Sequence, residues 1–243
     1  MLRDVLVGQY AAADTLNRRN IKELVSDGPY PRLCDLGCDD GGWTVDLARS
    51  CGSGHIAGAE MVPERAHIAQ SRGVNVTLSD LNDAFPFIDE SFDLVHANQV
   101  IEHVKDVDHF IAETIRILTI GGVAVISTEN GSSWHNIFAA VMGWQTFSLS
   151  SLSTRARSVG NPLALHRGDP PPRTFDKHRT IFNYRGLIEF LKAHGLAIVA
   201  ARGAGYYPLP AGVGSFDLRH CHFITIKVRK VGSEASRHGQ GQT

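Results

Sequence analysis

The sequence predicts an α/β fold with a doubly wound, mostly parallel sheet of seven strands. It also predicts a C-terminal antiparallel strand and an insertion after the fifth strand. Three observations carry this reading. Short apolar runs alternate with helical patterns from Arg32 to Ser127, the rhythm of a parallel sheet covered on both faces. The first run ends in Gly37 and feeds a glycine turn, as strand-to-helix connections in such sheets do. No helical pattern separates the last two runs, so an antiparallel final pair is expected. The 243 residues are 43% hydrophobic and 20% charged, which suits one large globular domain. That domain is assigned to 1–230, with 130–176 as an insertion within it and 231–243 as a flexible tail.

Taken in order, Tyr10 to Ser26 has helical spacing through Leu16, Ile21, Leu24 and Val25, and Asp27-Gly28-Pro29 stops it. Arg32 to Leu36 is a buried strand, and Gly42 to Ser50 a helix. His55 to Ala59 is the second strand. Pro63 opens the next helix, where its missing N–H costs nothing, and that helix runs to about Arg72. Val74 to Leu78 and Phe92 to Ala97 are the third and fourth strands, followed by a helix over Asp106 to Leu118. Gly122 to Ser127 is the fifth strand, β-branched at Val123, Val125 and Ile126. The rhythm then breaks over Asn130 to Asp176. A structureless loop of that length is out of place in a compact core, so the segment reads as a lid, partly helical around Trp134 to Met142. Tyr184 to His194 is a helix ended by Gly195. Leu196 to Ala201 and Cys221 to Val228 are the last two strands.

Charge and cysteine content narrow the function. With 24 basic and 25 acidic residues the net charge is −1, which argues against a nucleic-acid binder. Four cysteines are too few for a disulfide scaffold and suit a reducing, cytoplasmic setting. No run of 18 apolar residues suggests a membrane span, and the first ten residues lack a signal-peptide pattern.

The chemistry-bearing residues cluster at strand ends. Leu33-Cys34-Asp35-Leu36-Gly37-Cys38-Asp39-Asp40-Gly41-Gly42 is a strand, a glycine turn and a helix start. The spacing departs from Gly-x-Gly-x-x-Gly, and its acids suit a ligand carrying an ammonium or sulfonium group better than a pyrophosphate. A tight turn with glycine for geometry alone is the alternative. Glu60 ends the second strand where a ribose-binding acid is expected; a solvated strand-end acid is the plainer reading. Asp80 ends the third strand and can accept from an exocyclic amine. Met61 and Leu81 would flank an adenine ring, or simply pack in the core.

Together with Phe92-Asp93-Leu94-Val95 and Glu102-His103-Val104, these motifs resemble class I S-adenosylmethionine-dependent methyltransferases, in particular the small-molecule group called type 11. The resemblance covers Pro31 to Thr128 well and Asp176 to Lys230 moderately, through His178-Arg179-Thr180-Ile181-Phe182. It does not cover the insertion. It implies a Rossmann-like sheet, S-adenosyl-L-methionine as cofactor, and cofactor contacts from Asp35, Gly37, Cys38, Asp39, Gly41, Glu60, Met61, Asp80, Leu81 and Asn98. Asp39 stands where the family usually has glycine, and its carboxylate could face the methionine ammonium.

Methyl transfer from a sulfonium is an in-line displacement that depends on alignment. A base is needed only when the acceptor is protonated. His103 is the candidate base, with a structural hydrogen bond as the equal alternative. Trp134, His135 and His178 are the candidate acceptor contacts. The aromatic residues of the insertion would form a lid over an apolar pocket, or a satellite core or dimer interface. Glu102, His103, Asp106, Asp108 and His109 do not suggest a metal, because His103 and His109 fall on different helix faces. Asn98 is followed by Gln-Val-Ile, not by the Pro-Pro-aromatic stretch of enzymes that methylate nucleic-acid amines, and no Pro-Cys follows the fourth strand. The expectation is methyl transfer to a small molecule, at oxygen, by a cytoplasmic protein with a homodimer left open. A catalytically inactive cofactor-binding protein is the first alternative, and a nucleotide-dependent oxidoreductase the second.

Overall fold

In the computed structural model, residues 2–170, 173 and 177–232 are described. Seven strands form one sheet: β1 (Arg32–Leu36), β2 (His55–Glu60), β3 (Asn75–Leu78), β4 (Phe92–Asn98), β5 (Leu118–Glu129), β6 (Leu196–Ala204) and β7 (Phe223–Lys230). Their order is β3-β2-β1-β4-β5-β7-β6. β1 to β5 pair in parallel, and β7 runs antiparallel to both β5 and β6. The α/β class, the seven strands and the antiparallel last strand therefore stand as expected.

Among the described residues six α-helices accompany the sheet: α1 (Leu2–Val25), α2 (Gly42–Cys51), α3 (Pro63–Ser71), α4 (Val107–Ile117), α5 (Trp134–Val141) and α6 (Tyr184–Ala193). The central strands are buried on both faces, which is why they read as continuous apolar runs. On one face Leu33, Leu94, Val123 and Val125 pack on Ile21, Leu24 and Val25 of α1 and Leu47 of α2. On the other, Val95, Ala97, Ala124 and Ile126 meet Phe110 and Ile111 of α4 and Leu187 and Leu191 of α6. The alternation along β5 sends successive side chains to opposite cores. α1 is also pinned from below. The buried Lys227 ammonium of β7 donates to the Leu24 carbonyl (2.7 Å), the Tyr30 hydroxyl (2.9 Å) and both Asp27 oxygens.

Several bounds differ from expectation. α1 begins at Leu2, not Tyr10, because no proline breaks the chain there. The missing periodicity reflects exposed Val5 and Val7, not a missing helix. β5 starts directly at Leu118, without the expected loop, and runs on to Glu129 because β7 pairs with it up to Glu129↔Phe223. β6 likewise extends to Ala204 along β7, whose first residue is Phe223 instead of Cys221. The insertion includes α5 and a 3-10 turn, Phe147–Leu149; Pro171, Pro172 and 174–176 at its exit lie outside the described residues, as does the expected tail from Ser233 on. Among the described residues no helix is long and apolar enough to cross a membrane.

Candidate active site

Parallel strands present their carboxyl ends along one edge, and ligands in such sheets sit where the strand order reverses. Here the reversal lies between β1 and β4. Two cavities open along that edge. The first, about 520 Å³, lies over β1 to β4 and is lined by residues that include Gly37, Asp39, Glu60, Met61, Asp80, Leu81, Asn98, Gln99 and His103. The second, about 290 Å³, lies over the ends of β5 and β7 and is closed by α1 and the insertion.

Each strand end supplies the first cavity differently. Glu60 is nearly buried. Its Oε1 accepts from the Met61 and Val62 amides (2.9 and 2.8 Å), and its Oε2 from the Asp39 amide (2.9 Å). A carboxylate has about four acceptor positions, so one remains on Oε2. Asp80 spends Oδ1 on the amide and side chain of Asn82, and Oδ2 has no hydrogen bond among the described residues. Gly37 turns the chain at φ 77°, a conformation side chains resist. A Cβ there would stand 2.8 Å from Val100 Cγ2, another cavity-lining residue.

Other expected contacts point elsewhere. Asp39 has positive φ, as glycine would, but its carboxylate is paired with Arg65 of α3. It is therefore already engaged by a cation and does not stand open to a ligand ammonium. The Asp35 carboxylate is buried, accepting from Thr44 Oγ1 (2.5 Å) and joined to His96 Nδ1 (2.6 Å). Cys38 lines neither cavity; its sulfur packs beneath Gly58, where an added Cβ would lie 2.6 Å from it. Gly41 is the N-cap of α2 and lies against Ala69, with no room for a side chain. These residues build the turn from beneath.

The first cavity fits the implied cofactor on its own evidence. Two acids at strand ends retain acceptor capacity for hydroxyls and an amine, and Met61 and Leu81 supply apolar walls. The buried Gln99 Nε2 has no partner among the described residues. An orphaned buried donor beside a cavity calls for a ligand acceptor, such as a carboxylate. Gln99 itself sits at φ 57°.

His103 lines the first cavity and His178 the second, and their rings meet edge to face at 4.8 Å between centroids. His103 Nδ1 donates to the Lys177 carbonyl (3.1 Å) and His178 Nδ1 to the Ser148 carbonyl (2.5 Å). A carbonyl only accepts, so in the neutral rings Nε2 carries the lone pair. Glu102 lies buried behind them, and its ligand oxygen comes within 4.8 Å of both histidines. This is the group of potential metal ligands the fold assembles here, in place of the His103–His109 pairing weighed on sequence. Glu102 Oε2 accepts from Thr128 Oγ1 (2.9 Å). Burial pushes its carboxyl up to about 7.

The second cavity gathers residues the sequence did not single out, Leu6 and Tyr10 of α1, Glu129 at the end of β5, Arg157, Tyr207 and His222, with Phe147 of the aromatic insertion and the expected His135 and His178. Burial alone would push the Glu129 carboxyl up, but the neighbouring imidazoles of His222 and His178 hold it well below the usual carboxylate range. Trp134 lines neither cavity. Its indole donates to the Tyr206 hydroxyl (2.7 Å), and its ring stacks on His220. Consecutive helical residues point about 100° apart, so α5 can turn only one of Trp134 and His135 into the cavity. Asn130 ties the start of the insertion to the 205–222 loop through the Arg219 and Cys221 carbonyls. The described insertion thus sits on the ligand-bearing edge.

The chain is similar to norajmaline N-methyltransferase of Rauvolfia serpentina, at 36% identity over 49% of this chain and 44% of that protein. It is also similar to the ubiquinone biosynthesis O-methyltransferase of Azorhizobium caulinodans, at 33% identity over 53% of this chain and 49% of that one. The chain spans about half the length of the curated relatives it matches. Its fold is shared with an S-adenosylmethionine dependent methyltransferase from Mesorhizobium loti, at TM-score 0.57 and 20% identity, covering 91% of this chain and 99% of the other. A methyltransferase domain family model matches residues 9–201, from α1 through β6. With that span and this sheet order, the chain belongs to the S-adenosylmethionine-dependent methyltransferase family, whose methyl donor is S-adenosylmethionine.

Proposed function

We propose that this chain transfers a methyl group from S-adenosylmethionine to a small-molecule acceptor, at oxygen, held in the cavity over β5 and β7. The observation that carries the reading is the pair of adjoining cavities on one sheet edge, with His103 and His178 in contact between them. S-adenosylmethionine supplies an electrophilic methyl group on a sulfonium. The chain's own residues do the rest. Glu60 and Asp80 bind hydroxyl and amine groups, Met61 and Leu81 sandwich a flat ring, and the Gln99 amide donates to a carboxylate. The insertion and α1 cover the acceptor side and exclude water, which favours alignment of the reacting atoms.

An oxygen acceptor with an ordinary hydroxyl pKa must lose its proton. His103 is the proposed base, with His178 beside it, because each ring is fixed with Nε2 as its accepting nitrogen. The relatives include both an O- and an N-methyltransferase, and the buried carboxylate in the acceptor cavity keeps nitrogen as the second reading. A cytoplasmic location is supported by four free, buried cysteines.

The test is calorimetric titration with S-adenosylhomocysteine and, side by side, with NADH. Micromolar binding of the first and none of the second is expected. The reverse preference overturns the reading. With binding in hand, a screen for methyl transfer to phenols, carboxylates and amines identifies the acceptor atom.

A further inference from the structure

Resting on that reading, we infer that the acceptor carries an ammonium group, and that Glu129 is the residue that selects it. Glu129 ends β5 at the floor of the second cavity. Its two oxygens face imidazole nitrogens at distances longer than hydrogen bonds: 3.7 Å to His222 Nε2 and 3.9 Å to His178 Nδ1. His178 Nδ1 is spent on the Ser148 carbonyl, while His222 holds the Tyr207 hydroxyl through Nδ1 at 3.1 Å and turns its Nε2 toward Glu129. The carboxylate is thus surrounded but not saturated, and it keeps acceptor capacity toward the cavity.

The walls around it are aromatic. His135 meets Phe147, Tyr207 and His222 edge to face, with centroids 5.3, 4.9 and 4.7 Å apart. Tyr10 packs on His222 from the α1 side at 5.8 Å. A carboxylate at the base of a ring-lined cavity is a cation site, because ring faces attract positive charge and the carboxylate supplies a full opposite charge at low water content. A neutral or anionic group in the same place would leave Glu129 with only the two imidazoles, at 3.7 and 3.9 Å, to oppose its charge.

The cavity is also lined by basic residues. Arg157 and His166 come from the insertion, and both act on Asp169, a half-exposed carboxylate. His166 bonds to it directly at 3.0 Å. The cavity therefore takes its carboxylate from the end of β5 and these basic residues from the insertion. An amine enters with its charge toward the sheet. The volume of about 290 Å³ is at the small end of ligand pockets, so a single-ring amine fits the class.

The test uses the whole chain loaded with S-adenosylhomocysteine and three probes that share a phenol and differ in charge: tyramine, 4-ethylphenol and 4-hydroxyphenylacetate. Calorimetry is expected to find tyramine at least about tenfold tighter than 4-ethylphenol, a difference of about 1.4 kcal/mol, with 4-hydroxyphenylacetate weakest. In Glu129→Gln the tyramine advantage should fall below about threefold, while S-adenosylhomocysteine binds as in the wild type. If that variant does not fold, the wild-type ranking alone decides. Equal affinities, a preference for the carboxylate probe, failure of tyramine to bind at millimolar concentration, or an undiminished preference in Glu129→Gln would each overturn the assignment. Failure of S-adenosylhomocysteine to bind the wild type would instead overturn the proposed function, so the two are separable.

Discussion

Glu60 should be doing two jobs that mutation can separate. Its carboxylate accepts three backbone amides, those of Asp39, Met61 and Val62, at 2.8–2.9 Å. It thereby ties the glycine turn after β1 to the start of α3. Hydrogen bonds to a charged group contribute about 1.5–3 kcal/mol each when buried. Met61 is 39% exposed, so water can replace part of that loss. Glu60→Ala is therefore expected to cost roughly 2–4 kcal/mol of stability, read from urea unfolding. Through the ribose it should also weaken S-adenosylhomocysteine by about tenfold to a hundredfold. Glu60→Gln separates the two effects. Its amide oxygen can keep Met61 and Val62, while its NH2 faces the Asp39 amide donor to donor. We expect about 1–2 kcal/mol of stability loss but nearly the full loss of affinity, since an NH2 cannot accept from a ribose hydroxyl. Wild-type affinity in Glu60→Gln would refute the ribose role. Unchanged stability in Glu60→Ala would refute the structural one.

Three further outcomes are expected. Gly37→Val places a branched side chain at φ 77° and within 2.8 Å of Val100 Cγ2, so calorimetry should find cofactor binding lost in a chain whose circular dichroism stays native; wild-type affinity would mean the turn lies away from the ligand. Glu102 has its carboxyl raised from 4.5 to about 7. The native state then holds the proton more tightly than the unfolded chain, and stability declines as pH rises through that window. Glu102→Gln removes the decline, so its stability relative to wild type should grow by about 3 kcal/mol at most between about pH 5 and about pH 8; a difference flat with pH in urea unfolding would refute this. His135→Ala should weaken tyramine binding more than Trp134→Ala, because only His135 lines the cavity; the opposite ranking in the same titration would place the acceptor on the other face of α5.

The cofactor side was legible because it is built from strand ends. Glu60 and Asp80 fall at the ends of short apolar runs that any parallel sheet needs, and the glycine turn follows the first of them. What the sequence could not separate there was lining from scaffolding. Asp35, Cys38 and Gly41 share the motif with Gly37 and Asp39, yet they point beneath the turn, and only the packing against Gly58 and Ala69 decides which way. Asp39 looked like a spare carboxylate because its partner, Arg65, is 26 positions away on another helix.

The acceptor side was largely illegible, for a different reason. It is assembled from α1, the end of β5, the insertion, the stretch before α6 and the loop between β6 and β7. Each gives one or two residues without periodicity. Val5 and Val7 face solvent and blur the helical pattern ahead of Tyr10, so its place inside α1 has no local signal. Tyr207 and His222 lie in a loop with no motif at all. Glu129 is the instructive case. The strand-end rule that selects Glu60 and Asp80 would select it too, had the fifth strand been extended to its full length. The apolar run stops at Ile126, and Ser127, Thr128 and Glu129 look like a loop start. They are strand because β7 returns antiparallel and pairs residue by residue up to Phe223. Phe223 in turn stacks on His222, placing that imidazole opposite the carboxylate. The long-range pairing that hides Glu129 from a local reading is the one that carries it to the edge of the sheet and gives it its neighbours.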